Sequence, residues 1–184
     1  MKTANAVAVL VFGLWLGLSV ETFGQTEAKP AVSPNYEPIK MQAGTWDAAI
    51  TFFDNDGKPS GTAKGAQTNV LLSNGHWVIN DLNVGGPTPF QGHGVWGWDP
   101  VVKQYVDTWV DIHDGAVRTD YGFWNAEEHT MYWNALQPDG NGHMVGVRMT
   151  EKYDGKHRTL DFYGVALQSG RVYKQAQMIF TKRP

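Results

Sequence analysis

In one stretch of this 184-residue chain, acidic and aromatic residues stand two positions apart, a spacing that could place their side chains in one site. In residues 104–111, Tyr105, Asp107, Trp109 and Asp111 occupy every second position, with valine and threonine between them. Alternate residues of an extended strand share one face. Carboxylates beside flat aromatic rings supply hydrogen-bond acceptors and stacking surfaces, which are the groups that small-molecule sites use.

A second stretch of the same kind follows in residues 118–124. Arg118, Asp120 and Trp124 share one face of this stretch. Arg118 is the natural partner of Asp107 or Asp120, because a guanidinium group and a carboxylate compensate each other's charge. If both mixed faces point inward on neighbouring strands, these residues form a polar and aromatic cavity.

The sequence leaves open which face points inward. We expect the ordinary arrangement, with the charged residues in solvent, because an unpaired charge is costly to bury. A register shift of one residue would exchange the two faces. In the inward arrangement, the candidate ligand-binding residues are Trp98, Tyr105, Asp107, Trp109, Arg118, Asp120 and Trp124, together with His93.

His93 lies in a stretch that is poor in side chains, between Gly92 and Gly94 and shortly before Gly97. Glycine inside a strand marks a bulge, a bend or the close approach of another group. We expect a barrel corner that needs curvature here. The alternative is a flat wall against which a ligand or a neighbouring tryptophan lies.

Several other chemistries lack support in the sequence. The chain has no cysteine, which excludes thiol nucleophiles and thiolate metal sites. The six histidines show neither HxH nor HExxH spacing, and no Gly-x-Ser-x-Gly motif occurs. The sequence therefore predicts no metal site and no cofactor, and it leaves the catalytic residues unknown.

Short strands must position the candidate residues. Runs rich in Val, Thr, Tyr, Phe and Trp alternate with turn signals, and every connection has hairpin length. We predict an all-β fold, an antiparallel up-and-down β-barrel of about ten strands, because closure removes exposed edges. A two-sheet sandwich is the alternative. The predicted strands are 45–53, 61–72, 76–84, 90–98, 104–111, 116–124, 130–136, 143–153, 157–168 and 171–181.

The N-terminal residues have the pattern of an export signal. Lys2 precedes an apolar run, and small residues stand before Gln25. We predict a cleaved signal peptide over residues 1–24, with an uncleaved anchor as the alternative. A flexible tether over residues 25–40, with a short cap around residues 39–41, and a barrel domain over 41–184 would follow. The protein would then be periplasmic or secreted.

The charge balance limits the partners that the protein can bind. Fifteen Lys and Arg stand against 18 Asp and Glu, for a net charge of −3, and no basic run occurs. Nucleic-acid binding and a polybasic membrane patch both need a positive surface. We therefore expect neither a nucleic-acid partner nor membrane contact beyond the signal segment. The sequence leaves the oligomeric state open.

Three segments resemble a known family. Gly44-Thr45-Trp46 is similar to the Gly-x-Trp motif that opens lipocalin and other calycin barrels. The block 89–111 and the ending 170–183 resemble an uncharacterised bacterial family, domain of unknown function 1579. The resemblance implies a lipocalin-like fold, and it implies no established activity and no catalytic residues.

The fold and the aromatic residues together lead to a functional expectation. We expect an exported β-barrel that binds a small apolar or aromatic-stacking molecule in its mouth. One rival is an acid–base enzyme that uses Asp107, Asp120 and His93. Another is an interaction module whose surface aromatics dock a partner. A cavity with strongly shifted carboxylates favours the enzyme, an apolar cavity favours the carrier, and a filled barrel favours the module.

Overall fold

A computed structural model describes residues 36–113, 115–139, 141 and 143–184. The predicted signal peptide and residues 25–35 of the predicted tether lie outside these residues. The described part contains one short helix and ten strands. Their bounds are α1 Glu37–Gln42, β1 Gly44–Phe53, β2 Pro59–Leu71, β3 Trp77–Val84, β4 Phe90–Asp99, β5 Gln104–Asp111, β6 Arg118–Asn125, β7 Thr130–Pro138, β8 Met144–Asp154, β9 His157–Val165 and β10 Val172–Lys182.

The ten strands form one closed antiparallel barrel. Each strand pairs with its neighbours in the chain, and β1 pairs with β10 to complete the ring. This pairing begins at Trp46 opposite Lys182 and extends to Phe52 opposite Ala176. The predicted all-β, up-and-down barrel is therefore confirmed, and the sandwich alternative is excluded.

The turns follow from local sequence. Gly75 adopts a φ of 72°, which the Asn-Gly pair makes accessible, and the Asn74 side chain accepts a hydrogen bond from the His76 amide at 3.0 Å. β9 ends three residues before the predicted end at Gln168. The Gly170 amide donates to the Ala166 carbonyl at 2.8 Å, so these residues form the turn into β10 instead of extending the strand.

The mixed faces of β5 and β6 point into the barrel. Tyr105 is buried and Asp120 is completely enclosed, whereas Thr108, Val110 and Tyr121 are exposed on the outer surface. The expectation that the charged face would lie in solvent is wrong for these strands. The buried charge is tolerated because an arginine of the same face pairs with it, as described below.

The two ends of the barrel differ. We call the end where β1 begins the closed end, because α1 covers it. Ile39 of α1 is completely buried in a core cluster with Val78, Trp96 and Met131. The Trp46 indole, at the start of β1, donates to a carbonyl of α1 at 2.9 Å. The opposite end, where β1 turns into β2, is the open end.

The helix itself is short. It has six residues and ends at Gln42, where the Ala43 amide still donates to the Lys40 carbonyl at 3.2 Å. No helix of the described residues is long and apolar enough to span a membrane. The short cap predicted around residues 39–41 lies within α1. In the fold, α1 places apolar and amide side chains in the closed end of the barrel.

Candidate ligand-binding cavity

A cavity of about 300 Å³ lies inside the barrel, between the closed-end core and the open end. This volume is at the lower end of the range for small-molecule sites. The walls combine aromatic rings with a few polar groups. The aromatic walls include Phe90, Trp96, Trp109, Trp133 and Phe162, and the polar groups include Asn80, Asp107, Arg118, Gln137, Glu151 and Arg158.

One wall of the cavity is made by Trp109 lying across the glycines of β4. A Cβ at Gly92 would overlap the Trp109 ring at Cζ2, and a Cβ at Gly94 would stand 3.0 Å from its Cε3 atom. The indole N–H donates to Asp111 Oδ2 at 3.0 Å, which fixes the orientation of the ring. The β3–β4 register continues without a bulge. Gly92 and Gly94 therefore provide the flat wall for a neighbouring tryptophan that we gave as the alternative to a barrel corner.

Asp107 is the most strongly perturbed carboxyl group of the cavity. Its Oδ1 atom is buried and has no hydrogen-bond partner among the described residues. The pKa of Asp107 is raised to about 8, first by burial and then by the nearby charges of Asp120 and Glu151, while Arg118 opposes the shift. With this pKa the group is mostly protonated and neutral at neutral pH.

Asn80 lies close to Asp107 across the glycine strand. The Asn80 side chain is buried, and its Oδ1 atom has no hydrogen-bond partner among the described residues. A Cβ at Gly94 would stand 3.1 Å from both Asn80 Nδ2 and Asp107 Oδ1. Asn80 on β3 and Asp107 on β5 therefore lie on either side of Gly94 in β4. Each has an Oδ1 atom that accepts no hydrogen bond from the described residues.

Arg118 and Asp120 form a bidentate ion pair on β6. Nε donates to Oδ1 at 2.8 Å and Nη2 donates to Oδ2 at 3.1 Å. The Asp120 side chain is fully buried, and burial raises the pKa of this carboxyl group while Arg118 opposes the shift. Arg118 also donates to Gln137 at 3.2 Å and lies 5.5 Å from the ring centre of Phe162. The guanidinium charge is thus compensated where it reaches the cavity.

A buried polar network forms the floor of the cavity. Arg158 donates to Glu151 Oε1 at 2.9 Å, and Gln42 donates to Glu151 Oε2 at 3.0 Å. Arg158 also donates to Gln42 and to Gln67, and its guanidinium group lies 3.9 Å from the ring centre of Phe180. Because Gln42 belongs to α1, the network attaches the helix to the barrel.

The eight predicted ligand-binding residues have different positions. Asp107, Trp109 and Arg118 line the cavity, and Asp120 lies behind Arg118. Trp98, Tyr105 and Trp124 belong to the closed-end core instead. The Trp98 and Tyr105 rings meet edge to face at 5.0 Å, and the same burial raises the pKa of the Tyr105 hydroxyl.

His93 does not reach the cavity. Its side chain is 53% exposed on the outer surface of β4, where it contacts Asp81 of the adjacent strand. The acid–base set of Asp107, Asp120 and His93 is therefore not assembled in this barrel. No group of three or more His, Asp or Glu residues among the described positions is arranged to hold a metal ion.

Sequence reasoning missed several polar residues of the cavity, namely Gln42, Gln67, Asn80, Glu151 and Arg158. The signal that could have found them is a single polar residue on an otherwise apolar strand face. Asn80 stands between Val78 and Leu82 on such a face. Arg158 precedes Leu160 and Phe162 in the same way, and all three side chains contribute to the barrel interior.

The fold and the site together define a closed, ten-stranded antiparallel barrel with an internal cavity of mixed polar and aromatic lining. Residues 33–182 match a family described as "Protein of unknown function (DUF1579)". The chain belongs to this family, as its central block and its C-terminal segment indicated, and the barrel is consistent with the lipocalin-like description. No curated protein matches the chain in sequence.

Proposed function

We propose that this protein binds a small molecule inside the barrel. The observation that carries the proposal is a cavity of about 300 Å³ in which two buried acceptor atoms, Asp107 Oδ1 and Asn80 Oδ1, have no partner among the described residues. Buried polar atoms are nearly always hydrogen-bonded in native proteins, and each exception requires an explanation. A ligand that donates hydrogen bonds to these atoms and stacks on Trp109 explains both.

The proposal includes an export compartment. The charged start, the apolar run and the small residues before Gln25 support a signal peptide over residues 1–24. The absence of cysteine from the whole chain also excludes attachment through a lipidated cysteine behind that signal. In this proposal, the mature barrel binds its ligand in the periplasm or outside the cell.

Native mass spectrometry of the protein purified from its own export compartment tests the binding function directly. We expect a copurifying small molecule, and we expect its removal by denaturing extraction and refolding to change the tryptophan emission. The Trp109→Phe variant should reduce this emission change, because Trp109 is one of the tryptophans that line the cavity.

Trp77→Phe is the matched control for Trp109→Phe. Trp77 packs over Gly97 on the outer side of the barrel and does not line the cavity, so this variant should keep the emission change. A mass without any bound molecule, combined with emission that is unchanged by extraction, would contradict a retained ligand. An emission change that Trp77→Phe abolishes would place binding outside the cavity.

A second candidate function is acid–base catalysis by Asp107. The observation that favours it is a cavity carboxyl group with a pKa of about 8, which could donate or accept a proton near neutral pH. Asp120 is occupied by Arg118, so Asp107 would act without the partners expected from the sequence. If a screen of small esters and glycosides finds turnover, Asp107→Asn should abolish it. Turnover that survives this substitution would exclude the role.

The interaction-module alternative has less support. A filled barrel with outward tryptophans would have favoured it, whereas this barrel contains a cavity. The outer surface does carry aromatic side chains, including Phe123 stacked on Tyr132 at 4.9 Å. Their stacking is explained by cross-strand pairing, because the two residues are directly opposite each other on β6 and β7.

A further inference from the structure

We propose that the ligand of this cavity is a small amine, whose protonated amino group binds between Asp107 and Asn80 while its apolar or aromatic body rests on Trp109. This inference rests on the proposed binding function and specifies its chemistry. Three independent features support it: the kind of atom left unsatisfied, the balance of charge inside the barrel, and the aromatic surfaces around the polar position.

Among the described residues that line the cavity, three buried side-chain atoms have no partner: two are acceptors, and the third is the donor Arg158 Nε in the floor network. Asp107 Oδ1 and Asn80 Oδ1 are both buried oxygen atoms without a partner among the described residues. The two side chains meet beside Gly94, because a Cβ at that position would stand 3.1 Å from Asp107 Oδ1 and 3.1 Å from Asn80 Nδ2. A ligand group that satisfies both must donate at least two hydrogen bonds from one place. An ammonium group donates three and accepts none.

The charges of the interior leave one carboxyl group without a counterion. Arg118 is paired with Asp120 at 2.8 Å, and Arg158 is paired with Glu151 at 2.9 Å. Asp107 forms no ion pair with the described residues, although it feels the charges of Asp120, Glu151 and Arg118. A buried carboxylate is stable when a cation compensates it, and a cationic ligand would supply that compensation.

The aromatic walls suit a cation with an apolar body. Trp109 lies flat over the glycines, and Trp96, Trp133 and Phe162 also face the cavity. The face of an aromatic ring attracts a cation, and the attraction is stronger when water is excluded. The same rings bury the apolar part of the ligand. A carboxylate ligand would instead meet an excess of acidic groups on these walls.

Isothermal titration calorimetry with three matched probes tests this inference. The probes are phenethylamine, phenethyl alcohol and phenylacetate, which share the ring and differ in the charge of the polar end. At about pH 8, we expect phenethylamine to bind at least about tenfold more tightly than the alcohol, because a charge-assisted hydrogen bond replaces a neutral one. Phenylacetate should bind most weakly.

Binding of the protonated amine must also release a proton from Asp107. Asp107, with a pKa of about 8, is mostly protonated at about pH 7 and must ionise to pair with an ammonium group. Below this pKa, the affinity for phenethylamine should therefore increase roughly tenfold for each unit by which the pH is raised. The affinity should level off above the pKa of Asp107, because the amine itself stays protonated to about pH 10. The binding heat should depend on the ionisation enthalpy of the buffer.

Asp107→Asn and Asp81→Asn are the matched variants. Asp107→Asn should lose the preference for the amine, the pH dependence and the proton release. Asp81→Asn should keep all three, because Asp81 lies on the outer surface of the same barrel, beside His93. If Asp107→Asn does not fold, proton release by the wild-type protein still decides the question.

The outcomes separate this inference from the binding function. If the alcohol or phenylacetate binds as tightly as the amine, or if affinity falls as the pH rises, the amine inference is wrong and the binding function stands. If no probe binds and no molecule copurifies with the protein, both are wrong.

Discussion

Arg118 encloses the carboxylate of Asp120 with two parallel hydrogen bonds, from Nε at 2.8 Å and from Nη2 at 3.1 Å. Asp120 has no exposed side-chain surface, and Arg118 has 12%. The attraction between the two charges offsets their desolvation only while both are present. Replacing only one of the two residues should therefore lower the free energy of unfolding more than replacing both.

Asp120→Leu should lower the free energy of unfolding by about 3–5 kcal/mol, because it leaves the Arg118 charge in the barrel without its counterion. The double variant Arg118→Met with Asp120→Leu should lose much less than the sum of the two single changes. Urea denaturation of the four proteins in a double-mutant cycle measures this. Additive losses would show that the two residues do not stabilise each other.

The stability of the wild-type protein relative to Asp107→Asn should fall as the pH rises. Asp107 has a pKa of about 8 in the folded chain against an ordinary value of 3.8. Between these values the unfolded chain has lost the proton and the folded chain keeps it, so rising pH favours unfolding. We expect the difference in unfolding free energy to fall by up to about 1.4 kcal/mol per pH unit.

That difference should level off above the folded pKa of about 8, where both states are ionised. Urea denaturation of both proteins at several pH values provides the comparison, and the shared groups largely cancel. A difference that is flat between about pH 5 and about pH 8 would contradict a buried, protonated Asp107.

Gly92→Ala should displace the Trp109 ring. The added Cβ would overlap Trp109 Cζ2, and overpacking of this kind typically costs about 1–3 kcal/mol. We expect lower stability and altered near-ultraviolet circular dichroism from the tryptophan. Gly61→Ala is the matched control on β2, where the added Cβ would meet only Phe52 at 3.9 Å. Equal effects of the two variants would show that Trp109 does not rest on Gly92.

Ile39→Ala should lower the free energy of unfolding by about 2–5 kcal/mol, because Ile39 is completely buried in the closed-end core. Ile112→Ala provides the control, since Ile112 is 58% exposed and should change stability by less than about 0.5 kcal/mol. Chemical denaturation of both variants measures the difference. A small effect of Ile39→Ala would mean that α1 covers the barrel without contributing to its core.

Much of the fold could be predicted because strand formation and turn formation are local. The Asn74-Gly75 turn and the alternating runs around it indicate hairpins from a few neighbouring residues. Short connections then favour a meander, and the unpaired edges of a meander favour closure. Only the ends of the strands differ by a few residues, as at β9, where the Ala166 carbonyl is used by the following turn.

The inward face could not be predicted in the same way, because it depends on partners from distant parts of the chain. Arg158 is buried with Glu151 of β8, Gln67 of β2 and Gln42 of α1, none of which is its neighbour in sequence. The local sequence pattern shows only that a charged residue stands on an otherwise apolar strand face. Glu151 lies on the adjacent strand β8, whereas the Gln67 and Gln42 side chains reach Arg158 only when the ring is closed and α1 covers its end.

The β1–β10 pairing has a consequence for how the barrel forms. Every other strand pair of the described barrel joins neighbours in the chain, so hairpins can assemble quickly from local contacts. The seam between Trp46 and Lys182 requires the two ends of the domain to meet, which carries the largest loop-closure entropy. We therefore expect the seam to close late in folding. A chain that fails at this step displays two open strand edges, and each is a template for another copy of itself.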